Sequence, residues 1–157
     1  MSNLKLMHAK LHRFTVTGAN LDYVGSITVD SALMEAVGML PFEEVDVINL
    51  DNGNRWSTYL LPGPAGSGVI TPNGGGALLA APGHLLIIYA YALELRETVM
   101  ARGHEARVAI GGAGNTISEL RIQRLVPRDG GVDFDPGLAE DATAPSDATQ
   151  AHFRGGR

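Results

Sequence analysis

The sequence predicts a mainly β fold, a small closed barrel of short strands with short helices between some of them. Three features carry this. Apolar and polar residues alternate from Leu6 to Thr17, the period of a strand with one buried face. Turn signals rich in glycine, proline and Asn-Gly then break the chain into short runs. Finally, Leu85-Leu-Ile-Ile-Tyr-Ala-Tyr alternates too little for a one-sided strand and reads as buried on both faces. Short strands joined by turns remove their exposed edges by closing.

The elements follow in order. After the first strand, Ser26 to Asp30 is short and β-branched. Ser31-Ala-Leu-Met-Glu-Ala-Val has helical spacing, with Asp30 or Ser31 as its cap and Gly38 as its stop. Val45 to Leu50 is a strand, and Asp51-Asn-Gly-Asn turns it back into Arg55 to Leu61 as a hairpin. Pro62 to Gly68 is a loop and Val69-Ile-Thr a brief strand. Asn73-Gly-Gly-Gly begins a turn into a short helix. A helical patch at Leu93 to Arg102, a strand at Arg107 to Ile110 and a hairpin near Gly111 to Asn115 complete the barrel, giving a domain of residues 1–126. From Pro127 the composition turns to Asp, Gly, Pro, Ala, Ser and Thr, which bury too little to offset chain entropy, so 127–157 is expected to be a disordered tail.

Composition removes several classes of function. A net charge of −5 offers nucleic acid no basic field. The absence of cysteine excludes disulfides, thiolate metal sites and cysteine nucleophiles, and suits a reducing cytoplasm. Met1 to Lys10 holds no apolar run, so no signal peptide is expected, and Leu85 to Leu93 is too short to span a membrane. No Walker loop and no His-Glu-x-x-His occurs, and the five histidines lack metal-ligand spacing. The glycines at Gly74 to Gly76 by themselves mark a tight turn before a helix.

The informative residues are Lys10-Leu-His-Arg, Asn20-Leu-Asp-Tyr-Val-Gly-Ser-Ile-Thr, Asn52-Gly-Asn-Arg-Trp-Ser-Thr-Tyr, Gly66-Ser-Gly-Val-Ile and Asn73-Gly. In this order and at these separations they resemble the pyruvoyl-dependent aspartate 1-decarboxylases, from about Met7 to Tyr91 and more weakly to about Glu119. The resemblance implies a double-psi β-barrel and a cytoplasmic homotetramer of cleaved α and β chains, with active sites between neighbouring subunits. It implies an amino-acid substrate and no nucleic acid, membrane, metal or pyridoxal phosphate. Whether a helper protein assists maturation stays open.

It also implies that the chain is a zymogen. The hydroxyl of Ser26 would attack the carbonyl of Gly25, turning an amide into an ester. β-Elimination would free the Gly25 carboxylate, and hydrolysis of the remaining dehydroalanine would leave a pyruvoyl group and release ammonia. Serine supplies both the nucleophile and the carbon that becomes the ketone. Glycine suits the strained backbone that such an attack calls for. Thr58 matches the residue that contacts the glycine carbonyl, where a developing oxyanion needs a donor. The ketone then serves as the electron sink for decarboxylation. Arg55 matches the carboxylate-binding arginine, whose fork suits a bidentate contact, and Tyr59 matches the general acid that reprotonates carbon. Lys10 and His12, on one strand face by alternation, match residues that position the substrate. Tyr23, Asn73, Gly74 and Gly75 match positions around the cleavage turn and pocket, and Trp56 an aromatic packing position.

Gly18, Asn20, Pro64-Ala65, Gly75-Gly76, Leu78 and His84 depart from the family's usual residues, mostly in loops that bound the pocket. They bear on substrate choice more than on reaction type. Aspartate decarboxylation to β-alanine, feeding pantothenate and coenzyme A synthesis, is the leading reading. A substituted aspartate or glutamate is the alternative substrate, and an uncleaved, non-catalytic binding barrel the alternative class.

Overall fold

The computed structural model describes residues 2–138 and 152–154. Its strands are β1 (Asn3–Thr15), β2 (Ser26–Asp30), β3 (Glu44–Asn49), β4 (Arg55–Gly63), β5 (Ile70–Asn73), β6 (Leu85–Leu95), β7 (His104–Gly111), β8 (Ile117–Arg128), β9 (Gly131–Asp135) and β10 (His152–Arg154). Two α-helices, α1 (Ser31–Val37) and α2 (Arg96–Arg102), and 3-10 turns at Gly74–Leu78 and Ala113–Asn115 connect them. The fold is mainly β with short helices, as the alternation and turn spacing predict.

The strands pair in the order β10-β9-β8-β7-β1-β6-β3-β4-β2-β5. Six of them close on themselves. The chain leaving β1 runs beside β5, where the Thr17 N–H bonds the Ile70 carbonyl at 2.9 Å and the Asn20 N–H bonds the Pro72 carbonyl at 3.0 Å. Closure spares β5 an exposed edge. Two pairings are parallel, β2 with β4 and β1 with β7. β1 pairs with β6 along one edge and β7 along the other, and its register with β6 slips at Met7/Ala9 and His12/Phe14, the second beside Arg13 at φ 65°. Such bulges bend a strand and re-aim its side chains.

The interior holds Leu11, Phe14, Ile27, Val29, Val47, Leu60, Ile70, Leu86 and Ile88, all fully buried, with Leu33, Met34 and Val37 of α1 packed onto them. The helix starts where expected: the Asp30 carboxylate accepts the Ala32 N–H at 2.8 Å, and Gly38 at φ 79° ends it. β4 and β6 run further than the sequence pattern suggested, to Gly63 and Leu95.

The boundary expected at Pro127 falls elsewhere. β8 continues to Arg128 and β9 follows, with Val132 only 8% exposed. Strand pairing satisfies this backbone and Val132 and Phe134 give β9 its apolar side chains, which the average composition of 127–157 conceals. Residues 139–151 and 155–157 of the expected tail lie outside the described residues.

Candidate active site

β2 leaves the 21–25 turn at Ser26 and is wedged between parallel β4 and antiparallel β5. Its alternation sends Ile27 and Val29 into the core, and Ser26 and Thr28 to the other side. Ser26 pairs with Asn73 in the register. Both are buried, at 1% and 4% exposure, so each needs the other. The Asn73 Nδ2 group donates to Ser26 Oγ and Thr28 Oγ1, both at 3.0 Å, and the Ser26 hydroxyl donates to the Val24 carbonyl at 3.1 Å. The hydroxyl is thus folded back over the peptides that precede it.

The Gly25 peptide is pinned from the other side. Gly74 sits at φ 62°, and a Cβ there would stand 2.8 Å from the Gly25 Cα and 3.2 Å from the Tyr23 carbonyl. The Gly74 N–H also bonds the Asn20 carbonyl at 2.8 Å. The glycine in left-handed backbone is therefore Gly74, whereas Gly25 does not have positive φ. The conformational demand expected at Gly25 falls on its neighbour. The β2–β4 pairing begins at Ile27–Leu60, and continuing that register back by two residues would set Thr58 level with Gly25. Among the described residues nothing occupies its hydroxyl.

A second group lies along the outer face of β4, β3, β6 and β1. Arg55, Ser57 and Tyr59 alternate outward from β4, while Trp56 packs on the core. The Arg55 Nη2 donates to the Tyr89 hydroxyl, and its Cζ lies 5.7 Å from that ring's centre. The register runs Lys10–Tyr89–Asp46–Ser57 in one row and His12–Ile87–Ile48–Arg55 in the next. His12 carries a buried Nδ1 with no partner. Burial, helped by Lys10, Arg13 and Arg121, lowers its pKa and favours the neutral ring. Tyr59, Thr58, Ser57, Glu44 and Phe42 line a pocket of about 570 Å³, with the Phe42 and Tyr59 rings 6.3 Å apart.

The chain therefore sorts its candidates. Gly25, Ser26, Asn73, Gly74 and the Tyr23 backbone come together, with Thr58 and Tyr59 on the adjoining strand. The Tyr23 side chain is 51% exposed, and Gly75 has open space around it. Lys10 and His12 do not join them. Four strand spacings separate β1 from β2 through β6, β3 and β4, roughly 20 Å around the wall. Two contributors escaped the sequence reading, Thr28 and Tyr89. The first shares a strand face with Ser26, and the second puts a phenol into an aliphatic run. Among the described residues no cluster of His, Asp and Glu could hold a metal.

A family model described as aspartate decarboxylase matches residues 2–118. Curated proteins named aspartate 1-decarboxylase are similar over most of their length. The one from Crocosphaera subtropica is 58% identical over 131 residues, 83% of this chain and 87% of that one. The Synechocystis sp. protein is 52% identical over 142 residues, 90% and 98% of the two chains. The Bacillus subtilis protein is 48% identical over 115 residues, 73% and 89%.

Proposed function

The chain belongs to the aspartate decarboxylase family, and from that membership we propose that it converts L-aspartate to β-alanine and carbon dioxide, supplying pantothenate synthesis. We further propose that it works with a pyruvoyl group made from Ser26 by breaking its own Gly25–Ser26 bond, without metal or pyridoxal phosphate. The observation that carries the second step is the buried Ser26 hydroxyl, folded onto its preceding peptides and held by Asn73.

Processing draws on groups of a single chain. Ser26 Oγ attacks the Gly25 carbonyl carbon, and the Thr58 hydroxyl, level with that carbonyl, donates to the oxygen as charge develops. The C–N bond breaks and the nitrogen takes up a proton, leaving an ester. Loss of the Ser26 Cα proton expels the Gly25 carboxylate, and water then replaces the nitrogen as ammonia. Asn73 and Gly74 keep the hydroxyl and the glycine in register throughout.

In turnover the pyruvoyl ketone supplies the sink for the electron pair that departing carbon dioxide leaves behind. Arg55 offers its fork to a substrate carboxylate. Tyr59, on the same strand, holds the proton that returns to carbon. Lys10 and His12 stand on β1, outside the group around Ser26, and a homotetramer in which one subunit's Lys10 and His12 complete its neighbour's site would bring them to it. An amino-acid substrate and a chain without cysteine suit the cytoplasm.

Intact-mass analysis tests the processing. Two fragments are expected, ending at Gly25 and beginning at the residue made from Ser26. Prolonged incubation that leaves only the full-length mass, with or without cell extract, would refute self-processing. Comparing aspartate, 3-methylaspartate and glutamate by kcat/KM tests the substrate, and aspartate ranking well below another member would overturn that assignment alone.

A further inference from the structure

We propose that Tyr89 is a positioning residue of the substrate site: its phenol oxygen orients the Arg55 guanidinium toward the substrate carboxylate without neutralising its charge. This rests on the reading of Arg55 above. Arg55 is exposed at the end of β4 beside a turn, where a long side chain has many rotamers available. Among the described residues its one polar partner is the Tyr89 hydroxyl.

Tyr89 is itself well fixed. It is 8% exposed, stands between Lys10 and Asp46 in the cross-strand row, and meets the Tyr91 ring edge-on at 5.4 Å. Tyr91 is in turn covered by the Lys5 ammonium, 4.7 Å above its ring. A buried, braced ring presents a fixed acceptor to a mobile cation.

The choice of acceptor matters. Among the described residues no carboxylate pairs with Arg55. The nearest by register, Asp46, accepts the Ser57 hydroxyl instead. A carboxylate partner would cancel the positive charge and compete with the substrate, whereas a phenol does neither. Burial raises the Tyr89 pKa, which keeps the phenol neutral. A guanidinium has five donors on two bidentate edges. Whichever Nη2 proton goes to Tyr89, one whole edge remains for an incoming carboxylate.

The test is Tyr89→Phe in the processed enzyme, which keeps the ring and removes the acceptor. KM for aspartate should rise about tenfold with kcat within about twofold, and the inhibition constant of succinate should rise in parallel. Fragment masses and melting temperature should not change. In an Arg55→Ala background the same substitution should add nothing, because the group it orients is gone. If Arg55→Ala raises KM and weakens succinate while Tyr89→Phe does neither, the positioning role is wrong and the Arg55 reading stands. Effects of the two substitutions that simply multiply would also overturn it. If Arg55→Ala alters neither KM nor succinate inhibition, the Arg55 reading itself fails. A Tyr89→Phe protein that processes poorly can still be judged on succinate binding to its cleaved fraction.

Discussion

The Ser26–Asn73 region and the Arg55–Tyr89 face carry opposite kinds of polarity. Around Ser26 the polar groups are few, buried and mutually satisfied: one amide serves two hydroxyls, and one hydroxyl returns to its own backbone. Along β4 and β1 the groups are charged, partly exposed and short of partners, from Arg55 to the orphaned nitrogen of His12. A closed network is what an intramolecular reaction uses, since both reactants belong to one chain and only their geometry must be held. An open set of donors is what a binding surface uses, because a ligand or a second subunit completes it. On the proposed function the two regions would separate making the catalyst from using it.

Ser26→Ala should break the first region completely and leave the second intact. Cleavage should be abolished on a denaturing gel, because the attacking oxygen is gone, with little change in melting temperature. A cleaved Ser26→Ala chain would remove the chemistry proposed for this turn. Arg55→Ala should do the reverse. Fragments should form normally while kcat/KM falls about 10- to 100-fold, about 1.5–3 kcal/mol for a lost charge-assisted pair. Loss of processing in Arg55→Ala would show that the two regions are not separable.

Gly74→Ala sharpens the comparison, since it acts through backbone alone. The added Cβ would stand 2.8 Å from the Gly25 Cα, at a φ that L residues resist. The conformational cost is about 1–2 kcal/mol before any clash. Cleavage measured by mass against time should slow markedly. Cleavage at an unchanged rate would show that the pinned turn plays no part.

How much of this was legible in the sequence depended on range. Local devices were readable: Asp30 and Gly38 bracket α1, and Asn52-Gly53 turns β3 into β4. The Ser26 turn was legible because its residues cluster in a short motif. The Lys10–Tyr89–Asp46–Ser57 row was not, because it joins residues up to 79 positions apart through registers that no local pattern encodes. β8 was missed for another reason. None of its residues is fully buried, so its alternation is weak, and Pro127 near its end reads as a boundary.

The smallest expected effect lies at Asp30, which belongs to neither region but anchors the loop beside them. It is 3% exposed, and its Oδ1 accepts the Ala32 and Gly66 N–H groups at 2.8 and 3.0 Å while Oδ2 accepts Gly68 at 2.8 Å. Burial alone would raise its pKa, but backbone donation from Gly68, Ala32, Gly66 and Leu33 outweighs it and holds the carboxyl below its ordinary 3.8. A carboxyl with a lower pKa folded than unfolded stabilises the fold above the unfolded value, and loses that contribution as pH falls through the folded one. Stability from this group should therefore be complete at neutral pH and decline only below about pH 4. Asp30→Asn places an amide donor or a lone acceptor where two oxygens are needed, leaving at least one buried N–H without its bond. It should cost about 1–3 kcal/mol at pH 7 by denaturant unfolding, with the gap to the unmodified chain narrowing in acid. Cleavage at Gly25 should proceed, since Asp30 contacts neither Ser26 nor Asn73. A gap that stays constant down to pH 2 would mean that the carboxylate's charge contributes nothing and only its shape matters.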